Sequence, residues 1–136
     1  MNSGLTLDYR LTEQPAKTTI EAWNTEVRGK TEAYVNFSNL LSYAELLRDR
    51  DVTDTVGWEF GVRSASKSYW KLSIVPEDLR GNCVVVVELA TGDFERYRSE
   101  VIVRFLTDVV SIDDFANGLV RAIRGQEGVA HLCGKE

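Results

Sequence analysis

Asp49, Asp51 and Asp54 crowd the stretch "RDRDVTDTVGWEF", and closely spaced carboxylates are the raw material of a calcium loop. Such a loop needs oxygen ligands at its first, third and fifth positions, a glycine at the sixth and a bidentate glutamate at the twelfth. Counted from Asp49, the fifth position is Thr53, the sixth is Asp54 and the twelfth is Phe60, whose ring offers no ligand oxygen. The template fails. The stretch reads instead as a helix end, a polar turn and the start of a strand. With Glu45 one helical turn earlier, Glu45, Asp49, Asp51 and Asp54 form the densest local set of carboxylates, interleaved with Arg48 and Arg50.

No nucleophile elbow, phosphate-binding glycine loop, dinucleotide fingerprint or H-E-x-x-H occurs. Asp113 and Asp114 in "SIDDF" are adjacent, so on a helix they point about 100° apart, and a first-turn position favours both as anions. Helix capping accounts for them better than acid–base catalysis. A single histidine, His131, and two separated cysteines, Cys83 and Cys133, argue against a zinc site. His131 and Cys133 are close in sequence, but "GVAHLCGKE" reads as a tail expected to fray, a poor place for a nucleophile and its base. No catalytic residue, metal ligand or cofactor site emerges.

The elements that would position these residues belong to one domain of 136 residues, 43% hydrophobic and 27% charged, long enough to bury its own core. Two free thiols are expected in a reducing compartment. A net charge of −5 argues against nucleic-acid binding and suits basic partners. No apolar run reaches bilayer length and "MNSGLTLDYRLTEQPAK" lacks a signal-peptide pattern, so a cytoplasmic, non-membrane protein is expected.

The pattern predicts strands near 5–11, 18–28 and 31–37, the last two joined around Gly29, with Ala33, Val35 and Phe37 sharing a face. Ser42 and Glu45 make an S-x-x-E capping box, placing a helix over 43–50 with Leu46 and Leu47 toward the core. In "GWEFGVR" Trp58, Phe60 and Val62 share a face; in "YWKLSIV" Trp70, Leu72 and Ile74 do. Trp23, next to Ala22 in "TIEAWNTEV", is assigned to neither face. "NCVVVVEL" reads as a central strand covered on both faces over its first half. In "FERYRSEVIVRFL", Tyr97, Val101, Val103 and Phe105 oppose Arg96, Arg98, Glu100 and Arg104, a basic stripe expected to pair across strands with Glu59 and Glu88. Ser111 and Asp114 open a second helix that Gly125 stops, its buried stripe being Ile112, Phe115, Ala116, Leu119, Ala122 and Ile123.

The expected class is therefore α+β, in the order β-β-β-α-β-β-β-β-α. It has one mainly antiparallel, curved sheet of six or seven strands, and residues 1–4 and 126–136 frayed. Trp58, Phe60, Trp70, Leu72, Val85, Val103, Phe105, Phe115 and Leu119 should form one core, with both helices on the same side.

The stretches "EAWNTEV", "AYVNF", "LLSYAELL", "WEF", "IVPEDLRGN", "VVVVEL", "VIVRFLTD" and "IDDFANGLVRAI" span most of residues 18–124. In this arrangement the chain resembles small bacterial immunity proteins of polymorphic toxin and contact-dependent inhibition systems, particularly the WapI-type group and related uncharacterised families. It departs from some relatives in placing Cys83 where a larger residue often stands. The resemblance implies a non-enzymatic cytosolic protein that binds and neutralises a cognate toxin domain, commonly a basic, nuclease-like one. On that reading Glu45, Asp49, Asp51 and Asp54 are the candidate partner-binding residues. The alternative is a ligand-binding or enzymatic domain with a pocket between sheet and C-terminal helix.

Overall fold

A computed structural model describes residues 2–12, 15–61, 68–92 and 99–135. Among these residues ten elements follow: β1 (Gly4–Arg10), β2 (Ala16–Trp23), β3 (Arg28–Val35), α1 (Phe37–Asp49), β4 (Val56–Phe60), β5 (Tyr69–Pro76), β6 (Cys83–Thr91), β7 (Ser99–Thr107), α2 (Val109–Arg124) and β8 (Glu127–Cys133). The class is α+β with two helices, as the sequence predicts. The single sheet of six or seven strands is replaced by two antiparallel sheets of four, ordered β3-β2-β1-β8 and β4-β5-β6-β7.

The division has a local cause. α1 occupies the connection after β3, so β3 ends as an edge of the first sheet and lies across the second instead of pairing with β4. Gly29 marks the close approach, since a Cβ there would overlap Val101 Cγ1 and crowd Leu89 Cδ1. Two residues on, Thr31 donates its hydroxyl to Ala90 O at 2.8 Å, between the two sheets. The turn expected at Gly29 lies earlier: the Asn24 carboxamide oxygen accepts from Glu26 N and Val27 N at 2.9 and 2.8 Å, and Asn24 N donates to Val27 O. Asp78 does the same for the β5–β6 turn, accepting from Arg80 N, Asn82 N and Asn82 Nδ2.

The tail expected to fray is a strand. Gly125 caps α2 by donating to Arg121 O, Gln126 turns the chain with φ +68°, and β8 runs back along β1 from Glu127↔Arg10 to Cys133↔Gly4. Alternation in "EGVAHLC" buries Ala130 and Leu132 and makes the pairing worthwhile. At the other end Gly4 already belongs to β1.

Both helix starts also differ from the capping boxes. α1 begins at Phe37 under Asn36, whose side chain accepts from Ser38 N. Its buried stripe Leu40, Tyr43, Ala44 and Leu47 needs helix before Ser42, which instead donates back to Ser38 O. Leu46 is exposed, and so is Phe37, which leaves the β3 face on entering the helix. α2 begins at Val109, with Asp108 accepting from Ser111 N at 2.9 Å.

One core draws on both sheets and both helices: Leu7, Tyr9 and Ile20 meet Trp70, Leu72, Val85 and Val103 together with Tyr43, Leu47, Phe115 and Leu119. Phe60 and Phe105 belong to it as expected, whereas Trp58 packs against it only partly buried. α1 and α2 pack on each other. Each fully buried side chain of this size contributes about 1.5–3 kcal/mol relative to exposure. Tyr43 sits centrally, 6.1 Å from the Trp58 ring and 6.4 Å from Phe60, with its hydroxyl donating to Leu72 O at 3.2 Å. Burial pushes the Tyr43 phenol far above its ordinary range.

Candidate interaction surfaces

The outer faces of the two sheets have opposite chemistry. On the first sheet, ion pairs run across the strands, Lys17–Glu32 at 3.3 Å and Arg28–Glu21 at 2.9 Å, and along β1, Arg10–Asp8 at 3.4 Å. The Arg28 guanidinium lies 5.4 Å from the Trp23 ring centroid, which places Trp23 on this outer face while Ala22 is buried. This is a solvated face, each exposed pair stabilising by well under about 1 kcal/mol.

The second sheet faces outward with aliphatic groups. Its register aligns Val75↔Val84↔Leu106 in one row, Ser73↔Val86↔Arg104 in the next and Lys71↔Glu88↔Ile102 in a third. Val75, Ile102 and Leu106 are 37%, 42% and 46% exposed, with Val84 and Val86 half-buried among them. The expectation that "VVVV" is covered on both faces is thus corrected: Val85 and Val87 are fully buried inside, while Val84 and Val86 line an uncovered face. Exposed apolar side chains gathered on one sheet face beside charged groups are what interaction sites present. Charge both flanks and interrupts this face: Arg104 stands between Ile102 and Leu106 on β7 and Glu88 between Lys71 and Ile102 in the register, with Glu59 and Glu100 on neighbouring positions. Lys71 stands opposite both Glu59 and Glu88 in the register, and Tyr69 donates its hydroxyl to Glu59 at 3.0 Å.

In the register Arg104 stands opposite Val86, and Glu88 opposite Ile102. Arg96, Tyr97 and Arg98 of the expected basic stripe, and Val62 of the β4 pattern, lie outside the described residues. The apolar face continues past Leu106 into a groove of about 540 Å³ lined by Asn24, Glu26, Arg104, Phe105, Leu106 and Lys135. Here the backbone edge of β7 is closed, Asn24 Nδ2 donating to Arg104 O at 3.0 Å and Lys135 N to Leu106 O at 2.6 Å.

The acidic set Glu45, Asp49, Asp51 and Asp54 is brought together only in part. Glu45 is half-buried on α1, and Asp49 closes the helix, exposed, beside Arg48 at 3.6 Å. Asp51 and Asp54 are used by their own turn: Asp54 accepts from Asp51 N at 3.0 Å, and Asp51 accepts from Thr53 N at 3.2 Å. Arg50 donates to Asp54 O at 2.9 Å and fastens the turn to the helix end. The turn leads into β4, the edge strand of the apolar face.

The space between α2 and the sheets, where a ligand pocket was the alternative, is filled by Ile112, Phe115, Ala116 and Leu119, each at most 1% exposed. Among the described residues no three His, Cys, Asp or Glu side chains converge as metal ligands would, and no helix is long and apolar enough to cross a membrane. Cys83 is buried and Cys133 exposed, both free. No family model matches the chain, and no curated protein is significantly similar to it.

The apolar face escaped sequence reasoning, yet its signal was present. Ile102 and Leu106 alternate with Val101, Val103 and Phe105, so they must emerge on the face assigned to Glu100 and Arg104. Val84 and Val86 emerge beside them once β6 and β7 pair.

Proposed function

We propose that this chain is a cytosolic immunity protein of the kind it resembles, one that binds and neutralises a cognate toxin domain and has no enzymatic activity of its own. The observation that carries this reading is the contrast between the two sheets: a charge-laced outer face on one, and on the other the aliphatic Val75, Val84, Val86, Ile102 and Leu106 with charged groups among and beside them. The centre of a protein interface is apolar and its rim polar. The acidic turn at Asp49, Asp51 and Asp54 flanks the same sheet through β4, and together with a net charge of −5 it steers a basic toxin toward the face.

The test starts from the neighbouring genes: where one encodes a large secreted protein, its C-terminal domain is titrated with this chain by calorimetry, together with rescue of cells expressing that domain. Wild type should bind and protect. Ile102→Glu with Leu106→Glu should abolish both while the chain stays folded. A toxin domain held equally well by that variant contradicts the reading.

A further inference from the structure

Among the described residues the sheet edges differ in how far they are covered. β7 is capped by Asn24 and Lys135, β3 lies across the second sheet, and β4 has five residues. β8 is a seven-residue edge with no such cover among the described residues, and its hydrogen-bonding direction follows from two contacts. Leu11 N donates to Gln126 O, and Gly134 N donates to Ser3 O. Residues of that parity on β8, Gly128, Ala130 and Leu132, therefore bond toward β1, leaving the N–H and C=O groups of Glu127, Val129, His131 and Cys133 directed outward. That edge carries no proline, lysine or bulge to deter pairing.

We propose that β8 pairs with β8 of a second copy of this chain, joining the two β3-β2-β1-β8 sheets into one. Antiparallel pairing of all seven residues admits one register, centred on Ala130. It matches the outward groups of Val129 with those of His131 of the second copy, and Glu127 with Cys133, so that no like charges meet. The helix above is self-complementary about the same axis. A Cβ on Gly118 would lie 3.6 Å from Ala130 Cβ, so the middle of α2 packs on β8 level with the two-fold centre. Asp114 lies four residues before Gly118 and Arg121 three after, on one side of the helix. Both are exposed, and neither forms an ion pair among the described residues. At about 1.5 Å per residue, Asp114 sits about 6 Å to one side of the axis and Arg121 about 4.5 Å to the other. The two-fold therefore brings each Asp114 level with Arg121 of the other copy, twice over.

Sedimentation equilibrium of the full chain tests this. Wild type should dimerise at high micromolar concentration. Val129→Lys should be monomeric with an unchanged circular dichroism spectrum, because its backbone bonds and side chain face away from the core. Asp114→Arg should weaken dimerisation by about tenfold or more, and the exchanged pair Asp114→Arg with Arg121→Asp should restore it. In hydrogen exchange the Val129 and His131 amides should be protected in the dimer and fast in Asp114→Arg. A wild type that stays monomeric, a dimer untouched by Val129→Lys, or an exchanged pair that fails to recover overturns the proposal. The toxin readout is separate: Ile102 and Leu106 lie on the other sheet, so either result stands without the other.

Discussion

Trp70 in β5 donates its indole N–H to the hydroxyl of Thr18 in β2 at 3.0 Å, and that hydroxyl donates onward to Ala33 O at 2.7 Å. Both side chains are fully buried. The chain indole–hydroxyl–carbonyl thus joins the two sheets through the middle of an otherwise apolar core, and it fixes which face of β2 meets β5.

Replacing Thr18 with valine keeps the shape and removes both roles of the hydroxyl. The indole N–H and one carbonyl lose a partner, and unfolding free energy should fall by about 1–3 kcal/mol. Urea denaturation followed by tryptophan fluorescence measures it; an unchanged midpoint would show that the bridge is energetically neutral.

Gly29 should tolerate no side chain while Val101 is present. Gly29→Ala is expected to cost about 1–3 kcal/mol through overlap with Val101 and Leu89. Adding Val101→Ala should recover part of that loss in a double-mutant cycle, and additive costs would place the origin elsewhere.

Asp108 caps α2, and the Ser111 N–H it accepts, helped by Lys135, holds its carboxyl below the usual carboxylate range against the opposing effect of burial. A depressed folded-state pKa stabilises fully above the ordinary carboxylate pKa and loses that contribution as pH falls through the folded value. Asp108→Ala should cost about 1 kcal/mol at neutral pH. Asp108→Asn, still a good cap, should cost less, and its deficit should vanish in acid. Denaturation midpoints at neutral and acidic pH decide; a deficit independent of pH contradicts the assignment.

Within the acidic set the structure separates two roles. Glu45→Lys and Asp49→Lys break no turn bond and should slow toxin association in low salt without altering stability. Asp51→Ala with Asp54→Ala removes the turn's own acceptors and should lower stability as well. Stopped-flow association rates against salt, beside thermal melts, separate these; equal salt slopes for wild type and Asp49→Lys remove steering from the account.

Strand positions, the α2 stripe and most of the core were legible because alternation and helical spacing are local and burial follows them. Partition into two sheets was not, since it depends on how β3 crosses the second sheet, and its trace in the sequence is one residue, Gly29. The start of α1 was readable in principle: Leu40, Tyr43, Ala44 and Leu47 already describe a helical stripe that Ser42 interrupts. β8 was lost because glycine and cysteine near a terminus suggest a tail, although Ala130 and Leu132 alternate with polar neighbours. Candidate carboxylates were visible as a cluster, but only geometry shows Asp51 and Asp54 engaged in their turn.

The measurement that bears most directly on the account is calorimetric titration of the C-terminal domain of a secreted protein encoded by a neighbouring gene with wild type and with Ile102→Glu/Leu106→Glu. Saturable one-to-one binding by wild type, lost in a variant whose thermal melt is unchanged, is the predicted result. Equal affinity in both would contradict the assignment of the β4-β5-β6-β7 outer face as the toxin-binding surface.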